Sequence, residues 1–289
     1  MRYYFIFFII TITSSNVSSQ TILPSFSAVH HKKTVDWSPS LSISPDSWLD
    51  ASDGSNYNVN GSQEVTSITD KSGSTTFTID GSPVVVSGNL NSLNTFEFDG
   101  NESLISANNV SWSSNGNHWA IGVFQWITVT GSKDSFFSAD GTRTYAVSSA
   151  AVGSWPGEID YDGSNSISSG RAKNDFTTSI SANTWVIVSI VFNKSGNQIF
   201  GRLNGTTRTD IDPYSNSMDA VTDLRLMRQR SNKKLNGRMA EFFHVADIPG
   251  TGGTDISDVE KAEGYLAHKW GLEGNLPLSH PYKSSAPKN

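Results

Sequence analysis

Beyond residue 42 the sequence breaks into short apolar, β-branched and aromatic runs separated by Gly, Asn, Asp and Ser, with no helical period before residue 255. That punctuation is what many short strands joined by polar turns require, so it confines the chain to an all-β fold. Strands are expected over 82–87, 95–98, 118–129, 134–139, 144–149, 184–193, 198–203 and 223–228. The run Trp185-Val186-Ile187-Val188-Ser189-Ile190-Val191-Phe192 is apolar at both parities, which places it in mid-sheet beneath a second layer. One helix is expected, over 255–270. Val259, Ala262, Tyr265, Leu266 and Trp270 fall near helical spacing, Asp258 and Glu260 occupy the first turn, Asp255 or Ser257 is the expected cap, and Gly271 ends the helix.

A chain of 289 residues with 36% apolar content can bury a large core, and all-β sandwiches of this order commonly form one domain. There are no cysteines, which excludes disulfides, thiolate metal sites and cysteine nucleophiles. A net charge of −6 argues against nucleic acid or an anionic membrane as a partner. The basic cluster Arg225, Arg228, Arg230, Lys233 and Lys234 is local and reads as a solvated strand end and turn.

Residues 1–20 contain one basic residue, Arg2, then the apolar stretch 5–10, then a Ser- and Asn-rich segment ending at Gln20. The stretch is too short for a membrane span. Two readings stand: a signal peptide cleaved after Ser19, or a docking strand over 3–13 followed by a linker. The expected organisation is therefore an arm (or leader plus linker) over 1–40 and a sandwich over 41–289. The pair His30-His31 in the arm reads as a solvated turn, not as a metal site.

Three motif sets carry a resemblance over residues 42–284. The first is Trp48-Leu49-Asp50-Ala51-Ser52-Asp53, with Asp70-Lys71-Ser72-Gly73 and Phe96-Glu97-Phe98-Asp99-Gly100. The second is the pair of segments 185–192 and 199–205. The third is Gly237-Arg238-Met239-Ala240-Glu241-Phe242-Phe243, then 263–272, Leu276-Pro277 and His280-Pro281-Tyr282-Lys283. Together they resemble the concanavalin A-like lectin/glucanase superfamily, in the laminin G-like form found in phage structural proteins and in secreted proteins of marine bacteria. The resemblance implies a jelly-roll β-sandwich with one C-terminal helix. It implies that Trp48, Trp270 and Tyr282 are core and clasp residues, and that Glu241 is a strand residue between the sheets or on a face.

The superfamily also contains glucanases, and Trp155-Pro156-Gly157-Glu158-Ile159-Asp160-Tyr161-Asp162 resembles their signature. By that carry-over Glu158 would be the nucleophile and Asp160 its partner, while Asp162 stands where the acid/base Glu belongs. Period-2 alternation would put the three on one face of a strand. Asp162 is one methylene short, however, and a displaced proton donor costs rate steeply. The Gly, Ser and Asn around the segment leave a turn open as well, and then the same carboxylates are solvated or are oxygen ligands for Ca²⁺, the one cofactor left open. No Gly-x-Ser-x-Gly elbow, Walker loop, dinucleotide fingerprint or His-Glu-x-x-His occurs.

Sugar binding pairs aromatic faces with Asn, Asp and backbone groups. Trp112, Trp119, Trp126 and Trp155 are the candidates, and Trp112 and Trp155 have the most loop-like surroundings. The expected ligand-binding set is Trp112, Trp155, Glu158, Asp160 and Asp162. The leading expectation is a non-enzymatic virion surface protein, a head or tail fibre, decoration or adhesion subunit whose lectin-like domain binds glycans. Residues 1–33 would then join it to other virion proteins or to copies of itself. A secreted bacterial carbohydrate-binding protein is the first alternative, a retaining glucanase the second.

Overall fold

The computed structural model describes residues 36–107, 117–128, 134–140, 145–149, 156–162, 171–193, 198–207, 223–228, 234–246 and 256–289. All of them belong to one compact unit. The Trp112, Trp155, His30 and His31 candidates and the arm over 1–33 lie outside the described residues.

A one-turn helix α1 (Pro39–Ser42) leads into β1 (Ser47–Asp50), β2 (Tyr57–Val59), β3 (Val65–Ile68), β4 (Phe77–Asp80), β5 (Val84–Leu90), β6 (Leu93–Asp99) and β7 (Ser103–Ser106). Then follow β8 (His118–Thr128), β9 (Asp134–Asp140), β10 (Tyr145–Ser149), β11 (Pro156–Asp162), β12 (Arg171–Ser179) and β13 (Trp185–Asn193). The last elements are β14 (Gln198–Leu203), β15 (Thr206–Thr207), β16 (Asp223–Leu226), β17 (Asn236–Val245) and the helix α2 (Ser257–Trp270). An eight-stranded sheet has the order β15-β14-β13-β8-β17-β6-β5, with β1 also paired to β17. A seven-stranded sheet has the order β12-β11-β10-β9-β16-β7-β4, and β2 and β3 form a separate hairpin. The fold is an all-β sandwich with one C-terminal helix, as the strand punctuation predicts.

The parity of the central strands explains the layering. On β8, Ala120, Phe124 and Trp126 enter the core between the sheets, while Trp119, Ile121 and Val123 enter a second core. On β13, Val186, Val188, Ile190 and Phe192 face the first core, and Ile187 and Val191 the second. The second core lies under α2, which contributes Val259, Ala262, Leu266, Ala267 and Trp270. A sheet covered on both faces needs strands apolar at both parities, which is why 185–192 reads as it does. Phe124 stacks on Phe136 at 4.7 Å between ring centroids, and Phe242 packs on Phe137 at 5.3 Å, tying the two sheets together.

The ends of the helix differ in how well the sequence foretells them. Gly271 takes the left-handed conformation, φ 68°, and closes the helix as expected. At the other end the cap position is Ile256, without a side-chain cap bond, so Ser257 is not the cap and the helix begins later than residue 255. Two acidic residues in the first turn, Asp258 and Glu260, complement the helix dipole in its place. Trp119 and Trp126 are buried at 0% and 1% exposure, so neither is available to stack on a sugar.

Residues 36–42 belong to the helix layer. Trp37 is buried against Tyr265 with ring centroids 5.5 Å apart, and its N–H donates to the Pro287 carbonyl at 3.2 Å. Asp36 bridges Lys288, and Ser42 Oγ donates to Asn289 Oδ1 at 2.6 Å. No helix among the described residues is long and apolar enough to cross a membrane.

Two outcomes follow from this packing. Truncating Phe242 to Ala, which opens a void between Phe124 and Phe137, is expected to cost about 3–5 kcal/mol in urea unfolding. His244 is fully buried on β17, and burial together with nearby His118 holds its pKa well below the usual 6.5. The unfolded chain therefore binds the proton more readily, so stability falls as pH drops below 6.5, by up to about 1.4 kcal/mol per pH unit. The urea midpoint at pH 5.5 should lie below that at pH 7.5, and His244→Asn should flatten the difference.

Candidate functional site

The charged residues of the motif sets converge on one carboxylate. On β17 the register to β8 runs Met239↔Phe124 and then Glu241↔Val123, so Ala240 is an extra residue, a β-bulge. Met239 and Phe242 face the core between the sheets, whereas Ala240 and Phe243 face the helix layer. The bulge puts two successive residues, Ala240 and Glu241, on the helix side, where strict alternation would send Glu241 into the apolar core.

There Glu241 is 0% exposed and accepts four hydrogen bonds at Oε1 and Oε2. Trp48 Nε1 donates to Oε1 at 2.8 Å and the Tyr265 hydroxyl at 3.0 Å. Lys269 Nζ donates to Oε2 at 2.7 Å and Trp270 Nε1 at 2.9 Å. Burial pushes the Glu241 carboxyl up, against the opposing pull of Lys269. The Tyr265 phenol is raised by burial and by the facing carboxylates Glu241 and Asp50.

Asp50, the β-ladder partner of Glu241, extends the network. Its Oδ2 accepts from Lys269 Nζ at 2.8 Å and Lys71 Nζ at 2.9 Å, and its Oδ1 from the Ser52 N–H and hydroxyl at 3.0 and 2.6 Å. Burial works against ionisation of Asp50, but Lys269 and its hydrogen-bond donors outweigh it and hold the pKa low. Lys71 also pairs with Asp53 at 2.8 Å and lies over the Trp48 ring at 4.3 Å. Asp70 fixes the turn that delivers Lys71, accepting from the backbone N–H groups of Trp48, Ser72 and Thr75. The Trp48–Asp53 and Asp70–Gly73 motifs are thus two halves of one ionic clasp.

A second clasp sits nearer the N-terminus of α2. Arg202 on β14 grips Glu263 through Nε to Oε1 at 2.8 Å and Nη2 to Oε2 at 2.9 Å. His280 Nε2 meets Oε2 at 3.1 Å and Ser189 Oγ meets Oε1 at 3.3 Å. Burial opposes the charge on Glu263, yet Arg202 and His280 keep its pKa low. Gly264 lets the chain after the helix cross closely, since a Cβ there would lie 2.4 Å from the Tyr282 Cβ. His268 completes the contact through its Nε2 to the Tyr282 carbonyl at 2.9 Å.

Glu158, Asp160 and Asp162 fall on a strand, β11, and not in a turn. They occupy alternate positions along that strand, Glu158 in register with Ser148 and Asp160 with Ala146 on β10. Asp160 stands opposite Lys173 and Asp162 opposite Arg171 on β12.

The sequence reading misses that Lys269 meets both Glu241 and Asp50, that Lys71 meets Asp50, and that Arg202 meets Glu263. The signal available was the charged residues lodged within the resemblance motifs. Among the described residues no group of three or more His, Asp or Glu side chains is arranged to hold a metal ion. Chemically, both buried carboxylates are saturated by fixed donors, so these clusters hold elements together.

No protein-family model matches the chain, and no curated protein matches it in sequence. Solved structures match in fold. Domain 4 of AbnA, a GH43 extracellular arabinanase from Geobacillus stearothermophilus solved in complex with arabinotriose, is 14% identical with a TM-score of 0.52. That match covers 66% of this chain and 89% of the domain. The binding domain of Paraclostridial Mosquitocidal Protein 1 is 14% identical with a TM-score of 0.55, covering 76% of this chain and 52% of that one. The binding domain of botulinum neurotoxin serotype G is 11% identical with a TM-score of 0.52, covering 76% and 51%. This chain spans about half the length of those two toxin binding domains. Identities this low establish a shared β-sandwich fold.

Replacing Glu241 by Ala leaves two indole N–H groups and a phenol without their acceptor and Lys269 with Asp50 as its one carboxylate, and is expected to cost about 3–5 kcal/mol in urea unfolding. The more exposed Asp53, replaced by Ala, should cost under about 1 kcal/mol.

Proposed function

We propose that the chain is a non-enzymatic glycan-binding sandwich of the concanavalin A-like, laminin G-like kind, carried on a virion as a fibre, decoration or adhesion subunit. The observation that carries this reading is the fold it shares with a domain solved with arabinotriose and with toxin binding domains. The motif sets support the laminin G-like assignment, because Trp48, Asp50, Lys71, Glu241, Lys269 and Trp270 meet in one cluster, as residues of one architectural device should. Residues 1–33 are assigned the attachment to neighbouring virion proteins.

Ligand contact is assigned to Glu158, Asp160 and Asp162 on β11 with Trp112 and Trp155. Acidic and amide groups accept sugar hydroxyls while indole faces cover the apolar side of a pyranose. The absence of enzymatic activity is part of the proposal. Asp162 in place of a glutamate weakens the glucanase reading, since the proton donor is a methylene short. The arabinanase domain favours one second reading, a secreted binder of plant or algal polysaccharide.

The full-length protein is to be titrated with oligosaccharides of arabinan, laminarin, agar and carrageenan and with a panel of cell-surface glycans, while reducing ends are assayed. Saturable binding without reducing-end release is expected, weakened at least tenfold by Asp160→Ala in a folded variant. Release of reducing ends that Glu158→Gln abolishes would overturn the non-enzymatic reading, and absence of binding to every glycan would overturn the ligand class. Deletion of residues 1–33 should prevent incorporation into particles; normal incorporation of the truncated chain counts against the virion assignment.

A further inference from the structure

We propose that Lys269 and Asp50 become joined by an intramolecular amide bond, with the Glu241 carboxyl passing protons between them. Three observations assemble the reaction. Lys269 Nζ lies 2.8 Å from Asp50 Oδ2 and 2.7 Å from Glu241 Oε2, so nucleophile, electrophile and proton carrier are in mutual contact. Asp50 and Glu241 are ladder partners on β1 and β17, which holds the two carboxyls side by side on a rigid sheet. The Asp50 and Glu241 side chains are 3% and 0% exposed, so water has little access to the reacting carbon. Holding reactants in contact in this way replaces a bimolecular encounter with a step inside one molecule.

The roles follow from the hydrogen bonds. Both Glu241 oxygens are held in place by Trp48, Tyr265 and Trp270, so this carboxyl is fixed as a carrier; its upward-shifted proton affinity suits it to take and return a proton. Asp50 Oδ1 is anchored by Ser52, which leaves Oδ2 as the departing oxygen. Lys71 also reaches Oδ2, but it is shared with Asp53, whereas Lys269 contacts both carboxyls.

The step balances without any other reactant. The Lys269 ammonium gives a proton to Glu241, which passes it to Asp50 Oδ2, and the free amine attacks the carbon of the carboxyl group so neutralised. A second proton then passes from nitrogen to the same oxygen. The C–Oδ2 bond breaks, one water leaves, one hydrogen stays on the amide nitrogen, and nothing is oxidised or reduced. Exchanging a buried ammonium and carboxylate for a neutral amide removes the desolvation that a buried ion pair carries, which favours the product in this setting. The bond would tie β1 to the end of α2 and make the clasp permanent.

Peptide mapping of the intact full-length protein tests the inference directly. After denaturation and trypsin digestion, mass spectrometry should find a branched peptide joining the Asp50 and Lys269 segments. Its mass should be that of the two linear peptides less one water, and cleavage after Lys269 should be blocked. Lys269→Arg should abolish the branch, and Glu241→Gln should lower its yield by about tenfold or more. Full recovery of the unmodified linear peptide ending at Lys269 from the wild-type protein would overturn the proposal. A branch through Lys71 or at Glu241 would overturn it equally. The wild-type map decides the matter even where a variant fails to fold, and it is independent of glycan binding.

Discussion

One carboxylate under one helix organises the outer half of this protein. Glu241 sits where no water reaches, and its position is tenable because four donors meet it from β1 and α2. Remove the acceptor and the indole of Trp48, the phenol of Tyr265 and the indole of Trp270 lose the partner they donate to, while the Lys269 ammonium keeps only Asp50 as its carboxylate. The helix layer is therefore held by directional bonds as well as by apolar contact, and the bulge at Ala240 is what makes the arrangement sterically available.

The two faces of the eight-stranded sheet divide the labour. Toward the seven-stranded sheet the contact is aromatic and aliphatic, with Phe124, Phe136, Phe137 and Phe242 interlocked. Toward α2 it is mixed, with Glu241 and Glu263 each fixing a different turn of the helix. Strand β11, which carries Glu158, Asp160 and Asp162, belongs to the seven-stranded sheet, whereas Glu241 lies on the eight-stranded one.

Much of the fold was legible in the sequence because it rests on local periodicity. The double-sided apolar run 185–192, the helix and its stop at Gly271 are all short-range signals. Other elements were not. Strand β12, Arg-Ala-Lys-Asn-Asp-Phe-Thr-Thr-Ser, is polar and lacks the usual β-rich composition, so pairing with β11 decides its state. The bulge at Ala240 carries no glycine or proline to announce it. Neither does the Glu241 clasp show in any window, because its partners lie up to 193 residues away. The motifs signalled that charged residues were placed deliberately; only three dimensions show that Lys269 answers both Glu241 and Asp50 and that Lys71 answers Asp50. On the ligand side, the acidic trio falls on a strand, while the indoles of Trp119 and Trp126 are core.

The meeting of residues 36 and 37 with residues 287 and 288 has a mechanical consequence. A load applied between these two ends does not pull along the long strands of either sheet. It acts across the Asp36–Lys288 bridge, the hydrogen bonds of Trp37 to Pro287 and Ser42 to Asn289, and the packing of Trp37 in the helix layer. The seam at the ends would thus part at low force while the sandwich stays intact, and a domain so closed can be spliced into a surface loop of another protein without stretching either partner.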